Sequence, residues 1–469
     1  MMAPSWIHEA VFYQIFPDRF ANGDPSLDPP NVETWGGTPT LRGFQGGDFA
    51  GVNTRLDYLA DLGVNALYFN PIFLSPSNHR YNTSDYYRID PKLGTAEDFR
   101  RLLEAAHARG MRVILDGVFN HCGRGFFAFA DVLENEAESP YCDWFHILRF
   151  PLDAYGPGEA HNYQAWWRFK SLPKFNVRNP ATRRYLLDVA AYWIEQGVDG
   201  WRLDVPNEIS DMGFWAEFRE RVKRTNPEAY LVGEIWEIGP QWVGPAAFDG
   251  LINYPFREAC LDLLATRTLS AAGFGARVQE ILGAYPARAN LGHYITLGTH
   301  DVPRLRTLLR GDSALEQLAF TMMFFFPGVP GIYYGDEIGL QGEKDPDNRR
   351  AFPWEEACWD ATLRRHIQRM IRLRHEHPAM REGELRVVPV EAGESCLLLV
   401  REHPQETLAL LINLGAHHHT IRPTRSQLGW ATSRACKDEL AGRTYAVGEE
   451  FAEFAISPRT ALILRPLHD

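Results

Sequence analysis

Over its first four-fifths the chain alternates short apolar runs with amphipathic helical stretches, and this alternation constrains the fold more than any other feature. Strand candidates fall at residues 10–16, 66–70, 111–116, 200–204, 230–234, 251–253, 294–298 and 331–334. Between them lie helix signals with identifiable ends. Thr95 with Asp98 forms a capping box that opens a helix through Arg109, and Gly110 ends it. Asn179 and Pro180 supply an N-cap and a first-turn proline for a helix running to about Gln196, and Gly197 stops that one. Strands that alternate with helices must pair in parallel through right-handed crossovers. The pattern therefore predicts an α/β fold, a (β/α)8 barrel with its functional face at the strand C-termini.

Two stretches break the alternation. Residues 121–179 are rich in loops and aromatics and predict an inserted subdomain after the third strand. Beyond residue 380, alternating runs at 385–390, 396–401, 407–413, 449–455 and 460–464 predict a C-terminal antiparallel β-sandwich. The expected organisation is a barrel over 1–120 and 180–380, a subdomain over 121–179 and a β-domain over 381–469.

With 469 residues, 45% of them apolar, the chain can bury more than one core. Its formal charge is 48 − 60 = −12, which argues against a nucleic-acid partner, because phosphate binding needs a basic face. The N-terminal residues lack the basic and apolar regions of a signal peptide. The longest apolar run, residues 318–326, is too short to span a bilayer, so no membrane partner is expected. Six cysteines without Cys-x-x-Cys spacing read as reduced thiols of a cytoplasmic protein.

Acidic residues stand at or just beyond several predicted strand ends: Asp116, with Asn120 and His121 following; Asp204, two residues after Arg202; Glu234, with Trp236 following; and Asp301, beside His300. Converging carboxylates flanked by His and Arg are what cleavage of a glycosidic bond requires: a nucleophile, an acid and charge to stabilise an oxocarbenium-like transition state. Asp204 is the expected nucleophile, since the period of two puts Arg202 on its face and a guanidinium holds an aspartate ionised. Glu234 is the expected general acid, with Ile235 and Trp236 as neighbours that raise its pKa. Asp301 is expected to bind substrate hydroxyls and to repel the charge of Glu234. Asp116 supports the site, and His121 is placed to meet a sugar hydroxyl.

These four segments resemble the conserved regions of the α-amylase family of glycoside hydrolases. Leu172-Pro173-Lys174-Phe175-Asn176 and Asp204-Val205-Pro206-Asn207-Glu208 are similar to motifs of its neopullulanase, cyclomaltodextrinase and maltogenic amylase branch. The resemblance implies a retaining mechanism without an organic cofactor, with Asp204 as nucleophile, Glu234 as acid/base and Asp301 as transition-state stabiliser. It implies sugar contacts from His79, Tyr81, His121, Arg202 and His300 at the cleaved ring, from Asp345 and Arg349 at the next glucose, and a further substrate contact from Trp236. The implied substrates are maltodextrins and cyclodextrins, small α-glucan oligosaccharides joined by α-1,4 bonds. An α-glucosidase and a glucanotransferase are the enzymatic rivals, and a non-catalytic glucan-binding barrel is disfavoured because Asp204, Glu234 and Asp301 are all present. Members of that branch usually carry an N-terminal β-domain that helps form a dimer, whereas this sequence begins almost at the first barrel strand, leaving the oligomeric state open.

Asn22, Asp24, Asp28, Gly46 and Asp48 place hard oxygen donors in loops, a composition suited to a structural calcium ion, which the resemblance also implies. Leu27 occupies one expected ligand position. His417-His418-His419 reads as a solvated loop, since three adjacent residues cannot all face one ion. Trp166 and Trp167 could stack on sugar faces, whereas Trp144 is expected in the small core of the inserted segment. Cys122 is expected to be a small buried residue without chemistry.

Overall fold

The computed structural model describes residues 3–391, 394–430 and 432–467. Eight parallel strands form the central sheet: β1 (Phe12–Ile15), β2 (Ala66–Phe69), β3 (Arg112–Gly117), β4 (Gly200–Leu203), β5 (Tyr230–Gly233), β6 (Gly250–Leu251), β7 (Tyr294–Thr296) and β8 (Val329–Tyr333). Their hydrogen-bonded order is β6-β5-β4-β3-β2-β1-β8-β7. The two ends meet where Ile252 bridges Tyr294 in parallel and Asn253 donates its N–H to the Tyr294 carbonyl at 2.8 Å, which closes the barrel. All eight strands lie where the hydrophobic pattern predicts them. β6 is shorter than expected because Asn253 turns out of the strand and caps the following helix through the Phe256 N–H.

The helices begin and end for local reasons. In α1 (Ala96–Ala108) Thr95 and Asp98 exchange both bonds of the capping box. In α2 (Pro180–Glu195) the Asn179 side chain accepts from the N–H groups of Ala181 and Thr182, with proline at the first position. The apolar run 318–326 lies mostly in α3 (Ser313–Phe325), which is buried on nearly all sides. Among the described residues no helix is long and apolar enough to cross a membrane.

Between β3 and α2 the chain leaves the barrel. Isolated bridges pair His121 with Lys174, Phe145 with Phe175, Ile147 with Tyr163 and Ala165 with Pro173 around a small aromatic core. Trp144 is buried in that core, as expected.

After the barrel come β9 (Glu384–Val388), β10 (Cys396–His403), β11 (Glu406–Asn413), β12 (His419–Ile421), β13 (Ala435–Asp438), β14 (Thr444–Ala446), β15 (Phe454–Ile456) and β16 (Thr460–Leu467). They form a six-stranded sheet, β9-β10-β11-β16-β13-β14, and a two-stranded one, β12-β15. Period-two alternation explains the double role of the larger sheet. Leu398, Val400, Leu411 and Leu464 face Ile421, Phe454 and Ile456 of the small sheet. Leu397, Leu399, Leu410 and Ile463 face the other way, into the barrel's main core. β12, β13 and β14 escape the sequence pattern because each is short and carries few apolar residues. The run expected at 449–455 holds a strand only at Phe454–Ile456, because Glu449 and Glu450 lie in an exposed turn.

Candidate active site

The strand register assembles the site. Asp116 on β3 pairs with Arg202 on β4, so the two side chains share one face of the barrel mouth. Asp204 follows β4 and donates its N–H to the Gly117 carbonyl at 3.0 Å, and Glu234 follows β5 and donates to the Leu203 carbonyl at 3.0 Å. Each acid is thus the first residue past a buried parallel strand, where the backbone is still held by its neighbour and the side chain reaches the open face.

Arg202 is the hub. Nη1 lies 2.8 Å from Asp116 Oδ1 and 2.8 Å from Asp204 Oδ1, while Nη2 lies 2.7 Å from Glu234 Oε1 and 4.0 Å from Asp301 Oδ2. A buried guanidinium surrounded by four carboxylates leaves the cluster with excess negative charge, which favours retention of a proton among the acids. Burial pushes Asp204 well above the usual carboxylate range, Arg202 pulls it down, and Glu234 and Asp116 push it up again. Partial desolvation of a carboxyl still 31% exposed, and then the charge of Glu234, push Asp301 up to about 7, against the pull of Arg349 and Arg202.

Asp116 is saturated with donors. Tyr68 and Tyr81 donate their hydroxyls to its Oδ2 at 2.6 and 2.7 Å, and Arg202 takes Oδ1. It therefore holds Arg202 and Tyr81 in place. His300 continues the network. Gln14 and Asn70 amides converge on its Nδ1 at 3.0 and 3.1 Å, so Nδ1 accepts and Nε2 carries the proton. That nitrogen lies 2.6 Å from the Tyr81 hydroxyl and 3.2 Å from Asp301 Oδ2. The Tyr81 and His300 rings are parallel, 6° apart with centroids at 5.3 Å. Burial and the neighbouring cations Arg349 and Arg202 push the imidazole well below its usual pKa, so His300 works as a neutral donor.

The remaining expected residues arrive at the same mouth. His79 stacks on Tyr81, and Arg349 sits 3.6 Å from Asp301 and 3.2 Å from Asp345, with its Nε donating to the His300 carbonyl. His121 Nε2 is buried without a protein partner, and burial pushes the imidazole down to about 3, leaving a neutral polar atom for a ligand hydroxyl. Trp236, 47% exposed, stacks flat on Tyr254 with centroids 3.8 Å apart. Val205, directly after Asp204, has φ 37° and ψ 51°, a left-handed conformation rare for a β-branched residue, and its N–H donates to Glu234 Oε2 at 3.1 Å. Strain is thus held beside the two acids it aligns.

Residues 14–381 match the family model described as "Alpha amylase, catalytic domain". The chain belongs to the alpha-amylase family. Its relatives in that family include a cyclomaltodextrinase of Geobacillus thermopakistaniensis, 43% identical over 88% of this chain and 70% of that protein. Neopullulanase 2 of Thermoactinomyces vulgaris is 44% identical over 89% of this chain and 71% of that protein. A solved structure, the cyclic α-maltosyl-(1→6)-maltose hydrolase of Arthrobacter globiformis in complex with cyclic α-maltosyl-(1→6)-maltose, superposes with a TM-score of 0.91 at 39% identity. That superposition covers 99% of this chain and 100% of the other. The chain is accordingly a glycoside hydrolase of the alpha-amylase family.

Four contributors at the site escape the motifs: Gln14, Asn70, Tyr68 and Tyr254. Asn70 follows β2 as Asp204 follows β4, so strand-end position could have found it; the others sit within or beyond apolar runs and look like core. Lys174, in the Leu-Pro-Lys-Phe-Asn segment, donates its Nζ to the Glu208 carbonyl at 2.7 Å and so ties the inserted segment to the loop after Asp204.

The loop donors divide into two sets. Asp48 accepts from the N–H groups of Gly23, Asp24 and Gly51, and Asp24 caps its own turn through Ser26, so both already serve the backbone. Asn22 keeps a buried Oδ1 without a donor and gives its amide N–H groups to Asp28 at 3.0 and 3.1 Å. Gly46 has φ +86° and passes so close that a Cβ there would lie 2.2 Å from Asp28 Oδ1. Among the described residues no group of three or more His, Cys, Asp or Glu could hold a metal ion; His417 and His418 lie in an exposed loop, and His419 opens β12. All six cysteines are free, and burial pushes the Cys122 thiol far above the range in which it reacts.

Proposed function

We propose that this chain hydrolyses α-1,4-glucosidic bonds of small maltodextrins and cyclomaltodextrins with retention of configuration. Asp204 attacks the anomeric carbon while Glu234 protonates the departing oxygen, giving a covalent glycosyl-enzyme. Glu234, now a base, takes a proton from water or from a sugar acceptor, whose oxygen displaces Asp204. The observation that carries the reading is Arg202, which holds Asp204 and Glu234 on adjacent nitrogens of one planar group. Pre-organised charge of this kind needs no rearrangement as the oxocarbenium develops. On this reading Asp301 and His300 bind substrate hydroxyls, Tyr81 meets the face of the cleaved ring, and Asp345 with Arg349 holds the next glucose.

A second reading is favoured by the match to the Arthrobacter globiformis enzyme, which runs the full length of that protein. On this reading the preferred substrate is a ring of maltose units joined by α-1,6 bonds. A product time course from β-cyclodextrin, cyclic α-maltosyl-(1→6)-maltose, maltotriose, starch and pullulan separates the two. Fast opening of β-cyclodextrin with starch slow supports the first, and selective opening of the branched ring supports the second. Glucose alone from every linear substrate points instead to an α-glucosidase.

The loop at Asn22, Asp28 and Gly46 offers oxygen donors to a hard cation, because the Asn22 amide oxygen is buried without a donor and the Asp28 carboxylate lies against the nitrogen of the same amide. These residues would hold calcium, which would supply charge neutralisation to the loop and no chemistry to the acids. A fall in melting temperature with chelator, reversed by calcium, tests it.

A further inference from the structure

The inserted segment carries an aromatic ladder that leads from the active site to solvent. The His121 ring, at the floor of the site, is stacked by Trp166 with centroids 5.5 Å apart and planes 24° apart. Trp167 stacks on Trp166 at 4.9 Å and 10°. Exposure rises along the ladder from a buried His121 to 72% at Trp167. Phe169, about half exposed, flanks Trp166 at 6.1 Å.

An indole this open in water loses the favourable burial that places most tryptophans inside. Its backbone is also held against preference. Trp167 has φ 44° and ψ 28°, and Arg168 after it has φ 63°, two consecutive left-handed residues without a glycine. The surrounding turn fixes this geometry. The Arg168 carbonyl accepts from the Ala160 N–H at 2.8 Å, the Lys170 carbonyl accepts from the Tyr163 hydroxyl at 2.7 Å, and buried Lys170 is tied to the Gly156 and Pro157 carbonyls. A strained, braced turn that presents a flat apolar ring outward is a pre-organised platform rather than a frayed loop.

We infer that Trp167, supported by Trp166, is an outer glucan-binding platform that stacks on the apolar face of a glucose unit beyond those held around the acids. It selects chain length: short oligosaccharides end before reaching it, whereas longer chains and large rings gain the extra contact. Stacking with little side-chain entropy to lose suits a substrate whose hydroxyls remain solvated on the opposite face.

The inference rests on the glucan-hydrolase reading above, and the test separates the two. kcat/KM is measured for maltotriose and maltoheptaose with the wild-type chain, Trp167→Ala and Trp167→Phe. Binding of maltoheptaose to Glu234→Gln and to Glu234→Gln/Trp167→Ala is measured by calorimetry, which needs no turnover. The expected result is a fall of about tenfold in the maltoheptaose-to-maltotriose ratio for Trp167→Ala, partly restored in Trp167→Phe, with a matching loss of binding. An unchanged ratio together with unchanged binding overturns the platform. So does a change of oligomeric state in Trp167→Ala by sedimentation, which would make Trp167 a subunit contact. If the wild type cleaves neither substrate, the catalytic reading fails, and the binding comparison still decides the role of Trp167.

Discussion

Arg202 Nη2 lies 2.7 Å from Glu234 Oε1, close enough for one fully buried guanidinium to fix the position of that carboxylate. The same group reaches Asp204 and Asp116 through Nη1. Lysine supplies its charge from one nitrogen and not from a planar fork, so it cannot occupy the two positions from which Nη1 and Nη2 reach the three carboxylates. Arg202→Lys is expected to lower kcat by at least about 100-fold, given about 1.5–3 kcal/mol for each charge-assisted bond lost. Steady-state kinetics with circular dichroism to confirm folding checks it; activity within a factor of three of wild type contradicts it.

The imidazoles around the site are expected to stay neutral through the working range. Burial pushes both His79 and His121 down to about 3, and nearby cations add to the effect at each. Folded pKa values below the unfolded value mean that their contribution to stability is present above about 6.5 and is lost as pH falls toward 3. Histidine NMR signals assigned through His79→Gln and His121→Gln should show no titration between pH 5 and 8. A midpoint inside that window contradicts the account.

The lysine of the Leu-Pro-Lys-Phe-Asn segment is expected to act on geometry more than on stability. Its bond to the Glu208 carbonyl pins the loop that leaves Asp204, and the side chain is partly exposed. Lys174→Ala should lower kcat/KM by roughly tenfold, as misplacement near a nucleophile does, while costing about 1 kcal/mol of stability. A stability loss without a kinetic effect would place the role of Lys174 in the fold alone.

Far from the site, buried Glu316 pairs with Arg306, which also binds Asp360 at 2.6 Å. Burial pushes Glu316 up to about 8 against the pull of Arg306. The raised folded value means that its stabilising contribution is full below about 4.5 and is lost as pH rises through 8. Glu316→Ala is expected to cost about 2–5 kcal/mol, because a buried side chain that hydrogen-bonds Arg306 is replaced by a cavity. Glu316→Gln should cost less at pH 9 than at pH 5, read from urea midpoints, and the opposite trend contradicts the assignment.

The barrel was legible because each of its strands is buried on both faces and reads as an apolar run, with caps such as Thr95, Asp98 and Asn179 marking the helices between them. The acids were legible because strand periodicity alone puts Arg202 and Asp204 on one face. What the pattern could not carry is contact across the sequence. Tyr68 and Gln14 lie in apolar strands and reveal their roles only once the closed sheet brings them against Asp116 and His300. β12 and β14 are three residues each and take their register from partners rather than from their own composition.

The central claim is that Asp204 is the nucleophile of a retaining reaction. Incubation with an activated, fluorinated α-glucosyl substrate, followed by peptide mapping in a mass spectrometer, tests it most directly. The expected result is one glycosyl adduct on the peptide containing Asp204, formed in the wild type and absent from Asp204→Asn. An adduct on a peptide holding Glu234 or Asp301, or turnover of natural substrate with inversion and no adduct, would contradict it.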